Sequence, residues 1–464
     1  MDIPICCADA RPGRGAWRQG KIMRMKWLVI ALAGAFAAPA VAASDFSTAV
    51  KADYDGRLAA LFDWFHRNPE LSYHETQTAS RIAGELREVS GVRVTERVGG
   101  TGVVGVMQNG AGPTVMVRAD MDGLPLEEKT GLPNASKVRQ ANADGVRSPV
   151  MHACGHDVHI TSLVGTARQL AAMKDRWRGT VVFVAQPAEE RLAGARMMVE
   201  DGLYSRFPKP DYALAFHVDA DSPTGKLVAE PGLRYSSSDT VDIVVHGVGA
   251  HGASPHQGRD PIVMGAEIVL ALQTMVGRDI SPLAPAVVTV GAFNGGFKHN
   301  IIPDRALLQL TVRADDEATR KLLLDGIRRI AAGVGRMHGM PEDQLPEVLV
   351  SKESTSVTVN DPALTARMRS AFTAALGTDV LHVAPRTGMG AEDFAHFIQP
   401  GFGVPGFYFE VGGTPQQAFD AAKAGGPPVS GHHSPSFRID PEPSVRLGVQ
   451  AMTVAVLELL KPAG

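Results

Sequence analysis

Residues 148–160 read SPVMHACGHDVHI and place Cys154, His156, Asp157 and His159 within six positions, with His152 just ahead. A buried structural cysteine needs no such company, and a disulfide needs a partner. A metal site or a catalytic thiol explains the crowding. Glu189 and Glu190 stand side by side after the apolar run GTVVFVAQ, and His217 follows the apolar run DYALAF. GHHSPSF (431–437) offers His432 and His433 near the carboxyl terminus. Imidazole, thiolate and carboxylate together suit a first-row transition metal. Two adjacent glutamates allow a division of labour. One binds metal while its neighbour, pointing elsewhere, serves as general base toward a water that the metal acidifies. Singly, each residue has an ordinary reading: a strand-end histidine is commonly structural, paired glutamates commonly form a solvated face, and a lone cysteine is commonly a small buried hydrophobe. Their recurrence at consecutive strand ends is what favours a site.

Composition narrows the field. With 464 residues, 44% hydrophobic and 20% charged, the chain has ordinary globular composition and room for two or more domains. A net charge of -3 without a long basic block does not favour nucleic acid as a partner. Residues 23–43, MRMKWLVIALAGAFAAPAVAA, carry Arg24 and Lys26, then a short apolar core, then the small-residue pattern Ala40-Val41-Ala42. This reads as a secretory signal peptide cut near Ala42 or Ala43, too short for a comfortable membrane span. Met23 is a second plausible start. Cys6 and Cys7 precede the cut, so an exported product keeps Cys154 alone and forms no internal disulfide. Periplasmic or secreted residence follows, with no membrane attachment after cleavage.

The elements that must position these residues alternate helix and strand from Asp45 to about Pro231. Helices are expected over 50–68, 76–89 and 159–173, and buried strands over 113–122, 179–190 and 211–220. Asp120, Asp122, Glu189, Glu190 and His217 then fall just past strand carboxyl ends, the rim where open α/β sheets bind ligands. Between about Ser236 and Val350 the order becomes β-α-β-β-α-β, a ferredoxin-like unit. The expected organisation is an N-terminal extension and signal peptide (1–43), a catalytic metal-binding α/β domain (44–235 and 351–464) and an inserted lid (236–350).

The chain resembles the metal-dependent amidohydrolases that include hippurate hydrolases, N-acyl-amino-acid deacylases and indole-acetyl-amino-acid hydrolases. These are related to dinuclear zinc carboxypeptidases and aminoacylases. The resemblance is carried in order by HRNPELSYHETQTA (66–79), VRADMDGLPLEE (117–128), MHACGHDVH (151–159), QPAEE (186–190), GVGAHGASPHQGRDP (247–261), HNIIPD (299–304), GAEDFAHF (390–397) and HHSPSF (432–437). It implies a zinc-exopeptidase-like three-layer catalytic domain with a mixed sheet, an inserted ferredoxin-like lid that also dimerises, and two divalent metal ions. Cys154, His156, Glu190, His217 and His433 would bind metal, Glu189 would be the general base, and Asp122 would orient a ligand from behind. His251 and Asn300 on the lid would reach the scissile carbonyl, of the partner subunit if need be, and stabilise the oxyanion. Arg313 would hold a substrate carboxylate as a bidentate pair, with His256 and Gly390 as further substrate-binding candidates.

Where relatives with a bridging carboxylate have aspartate, this chain has Cys154, which leaves manganese, zinc, cobalt and nickel open. The segment 134–150 is longer than the resemblance leads one to expect and is placed beside the acyl pocket. Phe216 replaces a small residue before His217. The expected reaction is hydrolysis of the amide of an N-acyl amino acid by a metal-activated water. The alternatives are a dipeptidase or carboxypeptidase on short peptides, a thiol enzyme with Cys154 as nucleophile and His156 as base, and an exported binding protein without catalysis.

Overall fold

The structure, a computed structural model, describes residues 43–142 and 145–462. The expected signal peptide, the second start at Met23, Cys6 and Cys7 lie outside the described residues.

An eight-stranded mixed sheet forms the middle layer. Its centre is the strand Gly179–Gln186, buried at every position, which pairs parallel with Thr114–Asp120 and antiparallel with Gly102–Asn109. Such unbroken apolar runs, without alternation, mark strands covered on both faces. Tyr212–Pro223 and Gly406–Thr414 continue the sheet in parallel. On one face, helices including Thr76–Arg87, His156–Ala172 and Pro441–Leu459 close over Phe65, Leu163, Phe183, Phe216 and Val449. On the other, Gly194–Glu200 and the short turn Asp393–His396 cover Met198, Phe394, Phe397 and Tyr408.

The helix His156–Ala172 is buried on nearly every side, as expected of a helix that is apolar around its circumference. It starts three residues earlier than its apolar spacing suggests. His156 and His159 therefore share its first turn, three apart and on one face. Gly155 caps it with φ 83, and a Cβ there would lie 2.2 Å from Val218 Cγ1. Only glycine satisfies both the backbone and the space. The first helical stretch runs Ala43 to Arg67 and is interrupted by a π turn at Tyr54–Leu58.

A second, four-stranded antiparallel sheet is ordered Ala286–Gly295, Arg305–Ala314, Ser237–His246, Glu347–Thr355. Helices Pro261–Arg278 and Glu317–Met337 pack on it around a separate core of Ile243, Ile268, Leu272, Leu308 and Ile327. Asp260 and Asp316 cap the two helices by accepting from Ile262 N and Thr319 N. The chain order is the β-α-β-β-α-β of the expected lid. Pro261–Arg278 is long and apolar enough by composition to cross a bilayer. Met264, Ile268, Leu272 and Met275 are buried in the lid core, while Ile262, Val263 and Leu270 are exposed.

Candidate metal centre

The parallel register aligns Asp120 with Gln186, so the Asp120–Asp122 and Glu189–Glu190 segments leave the sheet at one rim. His217 lies inside its strand, which runs on to Pro223, and not past its end as the sequence suggested. Pairing with Thr114–Asp120 stops at Arg118 and Ala215, so His217 is nevertheless at the rim. Phe216 packs edge-on beneath His159 at 5.2 Å and stacks on Phe409 at 5.5 Å, fixing the strand under the histidines. The backbone bond from His433 N to Ala153 O, 2.9 Å, ties the carboxyl-terminal loop to the Cys154 loop.

The turn carrying Glu189 and Glu190 is bracketed by Ala188 and Leu192, both at φ 49, a left-handed backbone unfavourable without glycine. Buried carboxylates hold it there. Glu75 accepts from Ala188 N at 2.9 Å, and Asp122 accepts from Glu189 N and Glu190 N, each at 3.1 Å. The Ser72 hydroxyl donates to Asp122 at 2.6 Å. Asp122 thus orients both glutamates through their backbone amides.

The hydrogen bonds fix which ring nitrogens are free. His156 donates from Nδ1 to the Asp122 carbonyl at 2.8 Å, leaving its Nε2 buried and without a hydrogen-bond partner among the described residues. His217 donates from Nδ1 to the Val218 carbonyl at 2.7 Å, so its Nε2 lone pair faces Cys154 Sγ at 3.3 Å. Backbone carbonyls orient histidine in this way when its other nitrogen is to ligate metal. Glu190 Oε1 is likewise unpartnered, 3.8 Å from His156 Nε2, and Glu190 Oε2 lies 3.4 Å from His433 Nε2. Two donor triads result, Cys154–His156–His217 and Cys154–Glu190–His433, each with its ligand atoms within 4.8 Å of one another. Cys154 belongs to both. Asp120 and His159 form a further acid–imidazole cluster with His156, but His159 is already used on both nitrogens. It donates to Asp120 at 2.5 Å and accepts from Val218 N at 2.8 Å.

The electrostatics call for cations. Burial, then Glu190 and Glu189, push the Cys154 thiol up. Burial and the neighbouring Asp122 and Asp120, opposed by His156, push Glu190 up to about 8. Burial, then Glu392 and Glu190, push Glu189 well above the carboxylate range. Thiol and carboxylates crowded into one buried place are stabilised in their charged forms by divalent ions. The donor set, with two triads and unpaired lone pairs aimed inward, suits two transition-metal ions.

A cavity of about 580 Å³ opens over Cys154, Glu189, Glu190, His217 and His433. Arg313 and Gly390 line it too. Three guanidiniums reach the cavity. Arg234 is paired with Glu410 at 2.7 Å and Arg386 with Asp315 at 3.0 Å. Arg313 touches only Thr311 Oγ1 and the Met389 carbonyl and, among the described residues, has no carboxylate partner. His251, His256 and Asn300 do not line this cavity. The Ala250–His251 strand pairs with Ile301–Ile302 on the exposed part of the lid, so His251 and Asn300 sit together there. Nor do the described residues of 134–150 line it. They fold into the hairpin Arg139–Ala141 and Arg147–Pro149, whose Gln140 side chain bonds Leu71 N and the His74 carbonyl.

One network was not anticipated. Fully buried Arg118 donates to Asp120, Glu392 and Asp393, with Gln186 and Tyr408 completing the set. Glu392 and Asp393 lie within 4.8 Å of Glu189. The signal was an arginine inside an apolar strand, VMVRAD, and an acidic pair in GAED.

The model of peptidase family M20/M25/M40 matches residues 116–453. Hippurate hydrolase of Campylobacter jejuni is 37% identical over 349 residues, 75% of this chain and 86% of that protein. Thermostable carboxypeptidase 2 of Saccharolobus solfataricus is 37% identical over 351 residues, 75% of this chain and 83% of that one. Among solved structures, a dinuclear metal binding peptidase of Bacillus subtilis superposes with a TM-score of 0.69 at 29% identity, covering 90% of this chain and 99% of that chain. The chain belongs to peptidase family M20/M25/M40.

Proposed function

We propose that this protein is an exported, metal-dependent amidohydrolase that releases the amino acid from N-acyl amino acids. The observation that carries the reading is the pair of donor triads sharing Cys154, with Glu189 beside them and not itself needed as a ligand. Two divalent ions, of manganese, zinc, cobalt or nickel, would be held by Cys154, His156, Glu190, His217 and His433. When bound they supply Lewis acidity, polarising the scissile carbonyl and acidifying water. Glu189, buried against Glu392, takes a proton from the attacking water and returns it to the leaving amine. Asp122 holds that carboxylate in place through the amides it binds. Arg313 receives the substrate carboxylate. Hippurate, the substrate in the relative's name, is an N-acyl amino acid, which supports this substrate class.

His251 and Asn300 fit a role as oxyanion donors only toward the cavity of another chain. A homodimer through the lid meets that need. Exposed Ile262, Val263 and Leu270 on the lid helix, together with Phe293 on the edge strand Ala286–Gly295, support it. Export is supported by residues 23–43.

A carboxypeptidase is the second reading, favoured by the equally identical relative of that name and by Arg313, which would hold either leaving carboxylate. Thiol catalysis is disfavoured. Cys154 Sγ faces His217, not His156, and burial pushes the Cys154 thiol up and the His217 imidazole down, opposing a thiolate–imidazolium pair. The test is Glu189→Gln assayed on hippurate and on dipeptides. A loss of about 10²- to 10⁴-fold in kcat with metal content retained is expected. Near-normal turnover by that variant would remove Glu189 as the base, and turnover of peptides alone would select the second reading.

A further inference from the structure

Behind the metal-binding segments lies a second cavity of about 640 Å³, separate from the one above Cys154. Its inner wall is formed by His152 and Asp157, which flank Cys154 and His156, and by Phe437, four residues after His433. Its outer wall is the short helix Gln416–Lys423, through Ala418 and Ala421. Most of the remaining lining is apolar, with Phe62, Leu132 and Ile439 among it.

The anomaly is His152. It is 2% exposed, and neither ring nitrogen has a hydrogen-bond partner among the described residues. A buried polar group left unpaired is destabilising, and native interiors rarely leave both nitrogens of one imidazole so. Burial pushes His152 down to about 4, so the ring is neutral and offers one donor and one acceptor. The cavity's other buried ionisable groups satisfy each other. His66 donates to Asp157 at 2.7 Å, and Glu128 stands 3.4 Å from the far nitrogen of His66. One cation between two carboxylates leaves no unpaired positive charge to receive an anion.

We propose that this cavity is a second ligand site, taking a small uncharged molecule with an apolar, ring-sized body and one amide group that hydrogen-bonds His152. The ligand class differs from the carboxylate-bearing substrates proposed for the metal cavity, and the inference does not rest on that reading. Its wall is built from the same two segments that carry Cys154, His156 and His433, and Phe437 stacks 5.0 Å from the His432 ring. An occupant therefore braces the metal-binding loops from behind.

The probe is benzamide, titrated calorimetrically into the metal-loaded, full-length mature protein, with benzoate and benzylammonium as charged counterparts. Two variants report on opposite walls. His152→Phe removes the polar partner, and Ala418→Trp fills the space from a surface helix outside the catalytic machinery. Benzamide is expected to bind, more tightly than either charged analogue. Each variant is expected to weaken it about tenfold or more, the loss of one buried hydrogen bond or of the room for the ring. Ala418→Trp should leave hydrolysis unchanged. If His152→Phe fails to fold, Ala418→Trp alone decides. Absence of benzamide binding would overturn the proposal and leave the cavity to ordered water. Binding unaffected by Ala418→Trp, or displaced by a ligand of the metal cavity, would overturn it too.

Discussion

Replacing Asp122 with asparagine removes one charge and turns one acceptor oxygen into a donor, without changing volume. The wild-type carboxylate accepts three bonds, from Glu189 N, Glu190 N and the Ser72 hydroxyl. The two backbone amides belong to the residues on which a base and a ligand are placed. In the variant one of them must face an NH2 group. That forfeits a charge-assisted bond worth about 1.5–3 kcal/mol and strands a buried N–H at a further ~1–3 kcal/mol. The turn has little reserve, since Ala188 and Leu192 already sit at positive φ. Part of the loss falls on folding and part on the catalytic geometry. If about 3–4 kcal/mol falls on the geometry, kcat/KM drops about 10²- to 10³-fold. Ser72→Ala removes only the half-buried hydroxyl and should lose no more than about tenfold. The assay is hydrolysis of hippurate, with thermal unfolding and metal content measured alongside. Wild-type kcat/KM and melting temperature in Asp122→Asn would refute the claim that Asp122 positions the two glutamates.

Two further outcomes follow from the same geometry. Arg313→Ala should raise KM about 10- to 100-fold by losing a charge-assisted pair, and substrates whose carboxylate is amidated should feel little of that change. Equal penalties on both substrate types would dismiss Arg313 as the carboxylate contact. Metal loading should expel protons at pH 7. Against its burial, Asp120 foremost holds His156 up to about 10, Glu190 is held at about 8, and the Cys154 thiol is raised. All three carry protons in the metal-free chain and must lose them to ligate, so metal affinity should rise with pH through the neutral range. Calorimetry in buffers of different protonation enthalpy reads the number directly, and a value of zero would contradict these assignments.

Much of this arrangement was legible because two local signals agree. Apolar runs such as VVFVAQ have no alternation, which fixes a doubly covered strand, and the chemistry-bearing residues fall where those runs stop. Cys154, Glu190, His217 and His433 were legible on that basis. The extent of the Tyr212–Pro223 strand was not, because its continuation is set by pairing with Gly406–Thr414, almost two hundred residues away. The Arg118 network was hidden for the same reason. Arg118, Asp120, Glu392 and Asp393 neutralise one another only across the folded sheet, and none announces its burial locally. Glu75 looks like an ordinary helix-start residue, yet it is fully buried and holds Ala188 in its left-handed conformation. His251 and Asn300 show the opposite case. Their motifs are plain in the sequence, but within one chain they meet only each other's strand. The 134–150 segment, read as an acyl-pocket neighbour, spends its Gln140 on the backbone at Leu71 and His74 instead.

The claim at the centre is that Cys154 is shared between two metal positions. Elemental analysis of the purified mature protein, beside Cys154→Ala purified identically, tests it most directly. The expected result is two divalent transition-metal ions per wild-type chain and a marked loss of both in the variant, because each triad forfeits the same ligand. A wild-type chain that hydrolyses hippurate without metal, or a Cys154→Ala variant that keeps both ions, would contradict it.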